Sequence, residues 1–198
     1  DPSHTSPYTS AGLITLGGQI LSNVVTIAAG SQHSLALMND GTVIGWGYNN
    51  AGQSTGVPNH ISPYSSAGAV TLGGQVLSNV VAIECGSHHS LALKADGSVI
   101  LWGNGYNMWT NRPAGWNNVA AIAAGENHIL VLKSDNTVLG LWPGDEYGQS
   151  SPPVNLADVL AIAAGDFHSL ALKADGTVVG WGLDDARQTT PPTGLTNV

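Results

Sequence analysis

The chain has 198 residues, of which 9% are charged and 26 are glycine, and its formal net charge is −8. Five Lys and Arg cannot supply the basic face that neutralises nucleic-acid phosphates, a 42% apolar content argues against disorder, and no apolar run approaches the roughly 20 residues that span a bilayer. Neither nucleic acid nor membrane is therefore expected as a partner.

Residues 1–22 reappear as 57–78 at an offset of 56, with Pro2 matching Pro58, His4 matching His60 and Pro7-Tyr8 matching Pro63-Tyr64. Within these connectors, Leu13 to Leu21 and Ala69 to Leu77 read as short strands, each broken by a Gly-Gly pair suited to a tight turn or a bulge. Between and after the connectors a longer unit occurs as Thr26 to Gly47, Ala82 to Gly103, Ala121 to Trp142 and Leu160 to Gly182. Its first glycines, Gly30, Gly86, Gly125 and Gly165, lie at intervals of 56, 39 and 40 residues, and Trp46, Trp102, Trp142 and Trp181 follow the same rhythm. A period of about 40 to 50 residues marks a solenoid, a propeller or an array.

The last unit shows what each one builds. Ala161-Ile162-Ala163-Ala164 is an apolar run ended by Gly165, and His168 to Lys173 alternates, with Leu170 and Leu172 on one side and Ser169 and Ala171 on the other. Asp175-Gly176 signals a turn, and Thr177 to Trp181 reads as the returning strand. Each unit is thus an antiparallel sheet of three or four strands, apolar on both faces. Radial stacking buries both faces, which is the propeller solution. Arg112-Pro113 and Ser151-Pro152-Pro153 mark the shorter connectors. The reading is one repeat domain, 1–198, with units of about 1–56, 57–112, 113–151 and 152–198. Asn197-Val198 matches Asn23-Val24, where a unit begins, so the chain is expected to be part of a longer array or to complete a ring as a homodimer.

The unit Ile-Ala-Ala-Gly-x-x-His-Ser-Leu-Ala-Leu-Lys-x-Asp-Gly-x-Val-x-Gly-Trp-Gly, followed by Gly52-Gln53 or Gly148-Gln149, resembles the regulator-of-chromosome-condensation repeat over nearly the whole chain. The resemblance implies an all-β fold, a β-propeller usually of seven blades. Four units here imply a propeller or propeller segment with four blades of antiparallel strands.

His33, His89, His128 and His168 share one repeat position, as do the four tryptophans. Residues repeated once per blade serve the frame. The histidines are expected to be buried and hydrogen-bonded to nearby backbone, in preference to a ring of imidazoles around a metal. Neither a metal nor a cofactor is expected. Asp40, Asp96, Asp135 and Asp175 sit in turns, and Cys85 stands where other units have alanine. Glu84 also replaces an alanine; it reads as exposed at a strand end, the alternative being a partly buried acid of raised pKa. One cysteine excludes an intrachain disulfide framework.

No nucleophile elbow, phosphate loop, zinc-binding helix or calcium loop is present, so an enzyme is disfavoured, including the guanine-nucleotide exchange known among proteins of this type. The informative positions are those where units disagree. After the tryptophan the loops carry Tyr48, Asn49 and Asn50; Tyr106, Met108 and Trp109; Asp145, Glu146 and Tyr147; and Leu183, Asp184 and Asp185. Before the histidines stand Ser31-Gln32, Ser87-His88, Glu126-Asn127 and Asp166-Phe167. A constant frame with varied loops is how scaffolds carry binding, and aromatic residues with Met are common anchors. The expectation is a non-catalytic scaffold holding a basic or polar protein partner on one face. The compact connectors are similar to those of a related bacterial propeller that inhibits β-lactamases through aromatic-rich loops on one face. The alternative is carbohydrate binding, with Trp109 and Trp116 as stacking platforms. Few Lys and abundant Asn, Ser, Thr and Gly point to a secreted or cell-surface setting.

Overall fold

The computed structural model describes residues 12–62, 64–103, 116–141, 145–192, 195 and 198, and among them there is no helix. A two-residue ribbon opens it, β1 (Thr15–Leu16) pairing with β2 (Gln19–Ile20). Gly17 and Gly18 both take positive φ, 57° and 80°, as a type I′ hairpin turn requires.

The first blade has four strands, β3 (Val24–Ala29), β4 (His33–Met38), β5 (Val43–Tyr48) and β6 (Tyr64–Ala69), hydrogen-bonded in that order. A second ribbon follows, β7 (Thr71–Leu72) with β8 (Gln75–Val76). The second blade is β9 (Val80–Cys85), β10 (His89–Lys94) and β11 (Val99–Gly103). The third is β12 (Val119–Ala124), β13 (Ile129–Lys133) and β14 (Val138–Leu141); the fourth is β15 (Val159–Ala164), β16 (His168–Lys173) and β17 (Val178–Gly182). The first sheet runs past the unit boundary expected at residue 56, because Tyr64–Ala69 of the connector pairs with β5.

Entry to each blade is stereotyped. Asn23, Asn79, Asn118 and Asp158 sit in the left-handed region at φ 55–60°, which Asn and Asp tolerate better than other side chains. Their carbonyls accept the N–H of Asn39, Ala95, Ser134 and Ala174, tying each entry to its hairpin. A register shift follows in each first strand, so the skipped residue, such as Val81 or Leu160, points outward.

Alternation within the second strand decides which blade is touched. Leu35 and Leu37 pack forward on Val80, Ile83, Ala92 and Trp102 of the second blade. Leu91 and Leu93 pack forward on Ile122, Ile129 and Val131; Leu130 and Leu132 pack forward on Val159, Ala171 and Trp181. Each fully buried leucine contributes on the order of 1.5–3 kcal/mol. The innermost strands stand side by side, β3 against β9, β9 against β12 and β12 against β15, and among the described residues no comparable contact returns from β15 to β3. Four repeats therefore make an open arc. Ile27 is 73% exposed where its equivalents Ile83 and Ile122 are 5% and 7% exposed.

Candidate binding face

Polar groups as well as apolar ones join the blades. His33 Nε2 lies 2.8 Å from Ser90 Oγ of the next blade, and that hydroxyl donates to the Gln53 carbonyl at 2.8 Å. Since the single hydroxyl hydrogen goes to Gln53, the imidazole is the donor to Ser90 and carries its proton on Nε2. The same chain recurs at the last joint. There His128 Nε2 donates to Ser169 Oγ at 2.8 Å and Ser169 donates to the Gln149 carbonyl at 2.8 Å, which also accepts from Trp181 Nε1 at 2.9 Å. For His33 and His128, where a backbone partner was expected, the close ring partner is a hydroxyl of the following blade. Burial holds His33, His89 and His128 neutral, lowering each pKa to about 4. His168, at the same repeat position, is half-buried.

The middle joint is built differently. Ile129 pairs with Leu141 in the register where Ser34, Ser90 and Ser169 pair with Trp46, Trp102 and Trp181. The third tryptophan position is thus Leu141, not Trp142, which lies outside the described residues. Ile129, Val131 and Leu141 replace the serine, alanine and tryptophan of the other joints with aliphatic bulk. Gly140-Leu141, set beside Gly45-Trp46 and Gly180-Trp181, carries this signal in the sequence.

Several residues expected to meet a partner instead shape their own loops. Asn49 is 2% exposed; its Oδ1 accepts the N–H groups of Ser54 and Thr55, and its Nδ2 donates to Thr55 and Val57. Asp145 accepts from the Ser150 N–H at 2.7 Å and from the Ser151 hydroxyl. Asp184 accepts from the Thr189 N–H and the Thr190 hydroxyl, both at 2.8 Å, and these threonines hold its carboxyl below the usual range. Asn50 meets His60 at 2.9 Å, and Asp185 accepts from Gln188 at 3.1 Å. The glutamines that follow brace the same loops, Gln53, Gln149 and Gln188 accepting from Ala51, Tyr147 and Ala186. Glu84 is half-buried rather than exposed, and burial raises its pKa. Trp116 is 3% exposed in the core between the second and third blades, so it offers no sugar platform. Cys85 is buried, as an alanine substitute should be, and burial pushes its pKa up to about 12.

The remaining loop residues converge. The loop after the first blade's tryptophan meets the pair before the second blade's histidine: Tyr48 lies edge-on to His88 at 6.4 Å and to Tyr64 at 5.5 Å. The third blade's loop meets the fourth blade's pair in the same way, Tyr147 lying edge-on to Phe167 at 5.6 Å. Tyr64, 58% exposed, was missed because it lies in the connector. Towards the axis a concavity of about 330 Å³ is lined by Ser31, Ser87, Glu126, Asp166 and the repeat glycines. Glu146, Asp166 and Asp185 are exposed on this rim. At the opposite ends of the strands, Lys133 and Lys173 pair with Asp135 and Asp175 at 3.2 and 3.3 Å. Tyr106, Met108 and Trp109 lie outside the described residues. No group of three or more His, Cys, Asp or Glu is placed to hold a metal ion among the described residues.

A family model described as regulator of chromosome condensation (RCC1) repeat matches residues 24–53, 80–107 and 159–188. The unmatched unit is the one carrying Ile129 and Leu141. Protein pim1 of Schizosaccharomyces pombe is 36% identical over 97 residues, 43% of this chain and 17% of that protein. The ultraviolet-B receptor UVR8 of Arabidopsis thaliana is 36% identical over 91 residues, 45% of this chain and 20% of that protein. Among solved structures, Prp20p from Saccharomyces cerevisiae superposes with a TM-score of 0.66 at 27% identity, over 86% of this chain and 46% of that one. The chain thus spans about half of that structure and a fifth or less of those two curated relatives.

Proposed function

From the premise that the chain belongs to the regulator-of-chromosome-condensation repeat family and is all-β, we propose that it is a non-catalytic scaffold that holds a protein partner on the rim of varied loops. The observation that carries this reading is the convergence of Tyr48 with Tyr64 and His88, and of Tyr147 with Phe167. In both places two segments that differ from repeat to repeat meet across a blade boundary and present aromatic area on a rigid frame. Aromatic side chains are frequent interface hot spots.

Relatives support a protein as the occupant. The Prp20p structure is described with binding to Gsp1p and histones, and a second structure has Kap60 bound to yeast RCC1 (Prp20). Exposed Glu146, Asp166 and Asp185 favour a partner with a basic or polar surface and a pocket for an aromatic ring.

Affinity purification on the immobilised chain, run beside a Tyr147→Ala, Phe167→Ala double variant, tests the reading. Proteins held by the parent and lost by the variant are the expected outcome. Capture unchanged by the variant but abolished by charge reversal at Lys133 and Lys173 would place binding on the opposite rim. Binding to a glycan array without protein capture would favour the carbohydrate alternative.

A further inference from the structure

The first and third blades differ at their outer edges. In the first, Tyr64–Ala69 of the long connector runs antiparallel to β5, with Gly68 opposite Gly45 and Ala69 opposite Ile44. Val70 continues this pairing. Its N–H donates to the Val43 carbonyl at 2.9 Å, and its side chain is 0% exposed in the core with Val43 and Leu77. The third blade has three strands, and among the described residues none pairs with the outer side of β14. Val138, Leu139 and Gly140 hold the places of Val43, Ile44 and Gly45, in the same register against the second strand. Ile44 and Gly45 are buried beside β6, whereas Leu139 and Gly140 are half-buried. The short connector sets the Ser150 carbonyl against Gly140, as the long one sets the Ser54 carbonyl against Gly45. It then turns through Pro152-Pro153, and the Leu156 N–H donates to the Pro153 carbonyl at 2.9 Å. Between connector and strand lies a groove of about 500 Å³, lined by Val138, Leu139, Gly140, Leu156 and Val154, the last 100% exposed.

The first blade shows what fits beside such a strand. Its occupant is extended, built of small uncharged residues, and ends in a branched apolar one, Ser66-Ala67-Gly68-Ala69-Val70. Charge points the same way in the third blade. The groove lining includes Thr137, Ser150 and Ser151 but two prolines and no ionised side chain besides, so a charged segment would lose its water without gaining a counter-charge. The Val138 carbonyl, matching the one that receives the Val70 N–H, is an acceptor on the open side of the strand. Unpaired edges of this kind take extended peptides through main-chain hydrogen bonds, with pockets for alternate side chains. We propose that the outer edge of β14 is a second docking site, where an extended, uncharged segment of a partner protein adds antiparallel as a fourth strand and sets a valine or isoleucine against Val138 and Leu156. The site uses neither Tyr147 nor Phe167 and is separate from the aromatic rim.

The probe is a capped, fluorescent peptide copying residues 64–72, titrated with the chain and followed by anisotropy. It should bind, and a scrambled peptide of the same composition should not. N-methylation at the valine removes the donor to Val138 and should abolish binding. N-methylation at the preceding alanine should be tolerated, because its N–H points away from the edge. Val154→Lys, at a fully exposed site, should leave the melting temperature unchanged and raise the dissociation constant about five-fold. Amide hydrogen exchange of the chain with saturating peptide should slow within Val138–Leu141. The Tyr147→Ala, Phe167→Ala double variant should bind the peptide like the parent. No rise in anisotropy, equal affinity for the scrambled or valine-methylated peptide, or exchange slowed elsewhere and not in β14 overturns the proposal. Loss of peptide binding in the double variant overturns the separateness of the site from the rim.

Discussion

Ser169 of the fourth blade receives a hydrogen bond from His128 of the third at 2.8 Å and passes its own hydrogen to the Gln149 carbonyl. One hydroxyl thus ties together a core strand, the neighbouring strand and the loop that carries Tyr147. Ser169→Ala should lower stability by about 1–3 kcal/mol, because it leaves a buried N–H unpaired and removes a donor from Gln149. Urea unfolding checks this, and Ser90→Ala should behave alike at the first joint.

Acid should loosen the arc. His33, His89 and His128 have native pKa values of about 4, against about 6.5 in an unfolded chain. The unfolded state therefore binds more protons between these values, and stability falls as pH drops from about 6.5 towards 4. Below that window both states are protonated and the loss stops growing. The urea midpoint should be flat from pH 8 to 7 and decline steadily below 6.5. A midpoint constant down to pH 4.5 would contradict the buried neutral imidazoles.

Glycine at the axis is required by close approach. A Cβ on Gly86 would collide with the His89 ring and the Gly125 carbonyl, and one on Gly125 would collide with the His128 ring and the Gly165 carbonyl. Gly86→Ala should cost more than about 2 kcal/mol, since backbone cannot give way as a flexible side chain would. Thermal unfolding measures it. Gly12→Ala, where a Cβ meets nothing within 4 Å, serves as the neutral control.

Loop-shaping and exposed loop side chains should separate. Asn49→Ala removes four hydrogen bonds from its loop and should destabilise the chain by about 1–3 kcal/mol. Glu146→Ala, at an exposed site without such bonds to its loop, should leave the melting temperature within a degree and change only partner association and its salt dependence. Thermal melts and binding kinetics on the same preparations distinguish the two roles.

The middle joint should resist conversion to the polar type. Ile129 is 0% exposed and packs with Val131 and Leu141. Ile129→Ser removes that bulk and sets a hydroxyl opposite Leu141, so a loss of about 2–4 kcal/mol is expected. Chemical denaturation gives the value.

Local chemistry made much of this protein legible in advance. The alternation of His168 to Lys173 determined a strand with one face forwards and one backwards, and Asp-Gly determined the turns, because only residues tolerant of positive φ fit there. The Gly-Gly pairs specified hairpins for the same reason. The recurrence of one unit implied stacked blades, since a sheet apolar on both faces must cover both to leave water. What required the tertiary structure was every relation between units. The partner of His33 is Ser90, far along the chain, and spacing within a repeat carries no information about which atom of the next repeat faces it. Asn49 and Asp145 looked like free loop side chains because their acceptors serve backbone N–H groups, which the residue alphabet does not display. The third tryptophan position went to Leu141 because pairing with β13, not residue type, sets register. The aromatic pairs of the rim, Tyr48 with His88 and Tyr147 with Phe167, arise only where two blades adjoin, and it is packing of Leu35 and Leu130 on the following blades that brings those edges together.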